Sequence, residues 1–177
     1  MANKNQEIIL GLGKFYIYDG EQPVEIGYIR GGGKFAVERV YRPITFDGLK
    51  AYAAQDMLTI DEENVSLEMN MLSIFTDADL TFLYSAMKST TEAGGTTITS
   101  NDDLAIKNDD YRKVAWKGIT NTGKPIEITI ENAVNVSNID FTMQDRNEVI
   151  QTISYKGIAP KGEVRAKWNI KWPTVGA

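Results

Sequence analysis

The chain has 177 residues, 42% of them hydrophobic and 24% charged, the proportions of a globular domain, which disfavours disorder, collagen and coiled coil. Lys and Arg number 19 against 24 Asp and Glu, and the formal charge of −5 lacks the net attraction of a dedicated nucleic-acid binder. Cys and His both number 0, which removes the usual zinc and iron–sulfur ligands, thiol nucleophiles, Ser-His-Asp triads and imidazole acid–base catalysis.

Apolar residues recur mainly with period two, the spacing of half-buried strands. Strands are expected at Phe15–Tyr18, Val24–Arg30 and Phe35–Tyr41, with Asp19-Gly20 and Gly31-Gly32-Gly33 as the turns between them. Residues 42–64 have no clear period, yet contain Phe46, Leu49, Tyr52, Met57 and Leu58, too apolar for a solvated linker. From Val65 the alternation resumes, with Val65, Leu67, Met69 and Met71 on one face and Ser66, Glu68 and Asn70 on the other.

Leu80, Leu83, Tyr84 and Met87 stand at helical spacing, so a single helix is expected over 77–88, capped by Thr76 with Asp79 in the capping-box position. The Thr-, Gly- and Asp-rich stretch Ser89–Asp110 reads as a surface loop. Tyr111–Thr120 and the run carrying Ile126, Ile128 and Ile130 against Glu127, Thr129 and Glu131 form a hairpin around Asn121–Pro125. Ile139, Phe141 and Met143 are expected to pair with Val149, Ile153 and Tyr155 in another. In the segment 163–172, Val164, Ala166, Trp168, Ile170 and Trp172 alternate with cations, which predicts a last strand with one buried face. The class is therefore all-β with one packed α-helix, in one domain over 1–177.

The short motifs have plain structural readings. Gly31-Gly32-Gly33-Lys34 lacks the first glycine and the Ser or Thr of a phosphate loop. Gly11-Leu12-Gly13 lacks the third glycine of a dinucleotide fingerprint. Asp102, Asp103, Asp109 and Asp110 do not have the spacing of an EF-hand. Glu68, Glu127 and Glu131 suit polar strand faces better than a hydrolase carboxylate pair. Trp168 and Trp172 fall on the opposite face from Arg165, Lys167 and Lys171, so rings and cations do not meet one nucleic-acid strand. No cofactor is indicated. No basic-then-apolar leader opens the chain and no apolar run has bilayer length, so folding in the cytoplasm without membrane insertion is expected.

The layout resembles the tail tube proteins, or major tail proteins, of long-tailed bacteriophages. It has an N-terminal arm (1–12), a long partly apolar loop (42–64), an alternating strand running into one helix, and paired hairpins, with Ile139-Asp140-Phe141-Thr142-Met143-Gln144-Asp145-Arg146-Asn147-Glu148-Val149 the most similar stretch. The resemblance implies a β-sandwich or barrel-like fold with a flanking helix. It also implies a structural virion protein that polymerises as stacked hexameric rings, contacts other tail proteins, and lets genomic DNA pass through its lumen without specific binding. In that reading Ile8 and Ile9 of the arm and Phe46, Leu49, Tyr52, Met57 and Leu58 of the loop make subunit contacts. Glu68, Asn70, Glu127 and Glu131 face the lumen, and Trp168 and Trp172 pack the last strand. The alternative is a carbohydrate- or surface-binding β-sandwich using Trp116, Trp168 and Trp172 as its platform. A carboxylate enzyme ranks below both.

Overall fold

The computed structural model describes residues 9–26, 28–72, 77–141, 145 and 148–173. The strands are β1 (Ile9–Asp19), β2 (Gln22–Glu25), β3 (Tyr28–Pro43), β4 (Leu58–Leu72), β5 (Met87–Glu92), β6 (Gly95–Ser100), β7 (Arg112–Thr120), β8 (Pro125–Asn135), β9 (Ile150–Gly157) and β10 (Trp168–Lys171), with one α-helix, α1 (Asp77–Leu83), after β4. Among the described residues the protein is all-β with one α-helix, as its periodicity predicts. Seven strands run in the order β2-β1-β7-β8-β9-β4-β3, β10 adds to β8, and β5 and β6 form a separate hairpin.

The large sheet is antiparallel throughout and folds over its own apolar face. Phe15 on β1 and Tyr155 on β9 have ring centroids 5.8 Å apart although β7 and β8 lie between their strands. Phe35 on β3 and Trp168 on β10 meet at 5.7 Å in the same way. The sandwich-like interior so formed holds Ile17, Val65, Leu67, Met69, Met71, Val114, Ile130 and Ile153. The alternation of Val65 to Met71 is therefore the true core face of β4.

Among the register shifts of the sheet, those in β3 and β8 coincide with a glycine run and with a change of neighbouring strand. In β3 the pairing jumps from Ile29↔Met71 to Gly33↔Met69, and Gly31 and Gly32 have φ of +88° and +82°. The triple glycine is thus a bulge inside one long strand, not the expected turn between two; its positive φ values suit either, and continuous pairing with β4 decides. In β8 the pairing to β7 jumps from Val114↔Ile130 to Arg112↔Ala133. At that point β8 changes its other neighbour, from β10 over Glu127–Ile130 to β9 over Ala133–Asn135.

Several expected boundaries are corrected. The ladder between β3 and β4 continues to Pro43↔Leu58, so the long loop shrinks to 44–57. The helix ends at Leu83 and not Lys88, since Ala86 has φ +56° and Met87 already pairs with Ser100. Its proposed cap, Thr76, lies outside the described residues. The presumed loop Ser89–Asp110 contains most of the β5–β6 hairpin, built from β-branched threonines that favour strands without marking a buried face. Asn138–Phe141 are not strand, and β9 pairs instead with β4 and the end of β8; Thr142–Gln144 lie outside the described residues. The last strand spans four residues, not 163–172. Val164 is 93% exposed, because the chain turns at Gly162 (φ +87°) and reaches the sheet only at Trp168.

Candidate assembly surfaces and polar faces

β9 covers β4 only from Ser66 to Leu72. Beyond that point β3 and β4 pair with each other, from Val37↔Val65 to Pro43↔Leu58, and Ile44 N–H donates to Met57 O at 2.8 Å. At a rise of about 3.3 Å per residue this makes a two-stranded arm roughly 20 Å long. With little core to cover, neither face needs apolar alternation, which is why Asp61-Glu62-Glu63-Asn64 gave no strand signal.

The arm carries a concentration of exposed apolar side chains. Tyr52 is 67% exposed and Phe46 53%, and Val40, Tyr41, Ile44, Met57 and Leu58 are exposed as well. Four of the five loop residues expected at a subunit contact thus stand on the arm and its tip. Leu49 is half-buried, its N–H donating to Phe46 O at 3.2 Å in a turn. The Arg42–Asp61 ion pair, at 2.8 Å, ties the two strands of the arm together. Of the N-terminal residues, Ile8 lies outside the described chain, while Ile9 begins β1 opposite Thr120.

The four residues expected on a lumen face fall into two groups. On β4, Asn70 accepts from Thr152 Oγ1 at 2.8 Å and Glu68 from Ser154 Oγ at 3.4 Å, both side chains projecting away from the core. On β8, Glu127 lies 3.4 Å from Lys117 and 3.8 Å from Lys171, and Glu131 lies 3.0 Å from Lys113. These lysines come from β7 and β10, and only the cross-strand register, Lys117↔Glu127 and Lys171↔Glu127, brings them to the carboxylates. Lys117 and Lys113 also stand over the rings of Tyr16 and Tyr18, at 4.9 and 5.0 Å. The hydrogen bond to Tyr18 and then the charge of Glu127 push the Lys117 ammonium pKa up. The β8 face is therefore a mixed-charge lattice, not an acidic wall.

The tryptophans occupy three different settings. Trp116 lies across the paired glycines of β1 and β7, Gly13↔Gly118, where a Cβ would come within 2.4 and 2.1 Å of the indole. Trp168 is half-buried against Phe35 and donates its Nε1–H to Glu63 at 3.0 Å. Trp172, beyond β10, is 50% exposed, in contrast to half-buried Trp168. Phe15, Ile29, Phe35, Leu67, Met69 and Trp116 line a partly open cavity of about 230 Å³ beside the glycine bulge.

No family model and no curated protein sequence matches the chain. Among the described residues no helix is long and apolar enough to cross a membrane.

Proposed function

We propose that the protein is a structural subunit that self-associates through the β3–β4 arm. In this reading it builds stacked hexameric rings forming a phage tail tube in the virion, assembled in the host cytoplasm, and it is not an enzyme. The observation that carries the reading is the arm itself. A two-stranded projection with exposed Phe46, Tyr52 and Leu58 is marginal in water and becomes stable when a partner covers it. A contact between the arm of one copy and a different surface of the next is heterologous, the kind that closes rings or extends into filaments.

The platform alternative has less support. Trp116 and Trp168 face inward from β7 and β10, and Trp172 alone is broadly open to solvent, so the three indoles do not present one surface to a sugar. The test is removal of residues 46–55 with a short glycine link, followed by circular dichroism, sedimentation velocity and negative-stain microscopy. The expected outcome is rings or tubes from the natural chain and a folded, unassembled subunit from the deletion. A natural chain that stays monomeric at high concentration, or a deletion that still forms tubes, overturns the proposal.

A further inference from the structure

The arm leaves the sheet where β9 stops covering β4, and at that point a third element meets it. The chain after Gly157 returns as residues 158–167, and Val164 and Arg165 border a cleft whose other wall is Asp61, Glu62, Glu63 and Asn64 of the arm. Lys167 O accepts from Glu131 N–H at 2.9 Å, fixing the entry to β10 at the β8 bulge. Trp168 then reaches across to the arm. Its Nε1–H donates to Glu63 Oε1 at 3.0 Å, while Arg39 Nε donates to Glu63 Oε2 at 2.7 Å.

One carboxylate therefore bonds to β3, through Arg39, and to β10, through Trp168, from its own place on β4. Its side chain is only 9% exposed. A carboxylate that shielded needs both partners, because leaving it unpaired has a large desolvation cost. Both bonds, that to Trp168 first, hold its pKa below the usual carboxylate range, so the charged form is the bonded one. Phe35, its ring 5.7 Å from that of Trp168, adds an apolar contact from β3.

We propose that Arg39, Glu63 and Trp168 form a clasp through which β10 holds the apolar arm in one direction, pre-positioning it for assembly. The assembly half of this statement rests on the function proposed above; the clasp itself does not. With the clasp closed, the arm is a fixed extension of β3 and β4. With it open, the arm is an isolated hairpin free to swing at its base.

Hydrogen exchange on the natural chain, Trp168→Phe, Glu63→Ala and the double variant tests the clasp. Trp168→Phe keeps an aromatic ring against Phe35 and removes the N–H donor. Amides of 37–43 and 58–65 should exchange roughly tenfold faster or more in either single variant, the factor expected for loss of a hydrogen bond to a charged group. The amides of β10 should accelerate with them, and the double variant should match Glu63→Ala alone, since removal of the carboxylate already removes the bond that Trp168→Phe deletes. Unchanged arm exchange, acceleration confined to β10, or multiplicative effects overturn the clasp, and the cycle remains decisive if a variant also loosens the body. Polymerisation followed by light scattering tests the second half, and Trp168→Phe should slow it several-fold. Equal rates for natural chain and variant overturn the positioning role in assembly. A natural chain that never polymerises while the exchange coupling holds removes the tube reading and leaves the clasp intact.

Discussion

Gly118 and Gly13 face each other across β1 and β7 with the Trp116 indole laid over both. The pairing explains two glycines in strand interiors, where the residue ordinarily costs stability. A Cβ on Gly118 would lie 2.1 Å from the ring and 2.9 Å from Leu12 O, so neither the side chain nor the backbone leaves room. Gly118→Ala should therefore destabilise the fold by about 1–3 kcal/mol, the cost of overpacking a filled site. Chemical denaturation followed by Trp fluorescence measures this; a neutral change would mean the indole swings away freely.

Among the elements, α1 has seven residues, too few for a helix to be stable alone. It is held by burial of Leu83, by the following Tyr84, and by Asn135 Nδ2, which donates to Leu83 O at 2.8 Å. Gln151 Nε2, fully buried on β9, donates to Tyr84 Oη. Burial pushes the Tyr84 pKa up to about 12, against the opposing hydrogen bond with Ser137. The folded state thus keeps a proton that the unfolded chain loses near the ordinary phenol pKa of about 10. This contribution to stability is complete below that pH and declines as pH rises through the interval up to about 12. Tyr84→Phe should flatten the fall in melting temperature across that interval. An identical alkaline slope in the variant would assign the loss to other groups, of which buried Tyr155, its pKa also raised by burial, is the first.

At the scale of the molecule, charge and apolar surface act in opposite senses. Each chain carries −5, so the ring of six proposed above would carry a formal charge of about −30 that resists closure at low ionic strength. The contacts offered by the arm are apolar and insensitive to screening, with Phe46, Tyr52, Met57 and Leu58 exposed together. Assembly should therefore be promoted, or left unchanged, as salt rises from about 0.05 to 0.5 M, because the Debye length shortens while burial of apolar area does not weaken. Light scattering across a salt series provides the check, and dissociation at high salt would place ion pairs, not the arm, at the centre of the interface.

The strand content, the core face of β4 and the separation of polar from apolar sides are written in the local alternation of residues such as Val65, Leu67, Met69 and Met71. The pleat makes that alternation a direct readout of burial. The concentration of exposed apolar residues between 42 and 58 was equally legible, since no solvated linker needs Phe46, Tyr52 and Leu58. What local pattern does not contain is which strand lies beside which. The extension of β3 and β4 into an arm, the placing of Lys117 and Lys171 beside Glu127, and the meeting of Glu63 with Trp168 depend on cross-strand register and on contacts between residues up to 105 positions apart. The glycine run shows the same limit: Gly31 and Gly32 have the positive φ that either a turn or a bulge requires, and only pairing on both sides of them made it a bulge. Periodicity reports how one chain segment meets solvent, whereas partner, register and direction are settled when the whole sheet closes over its core.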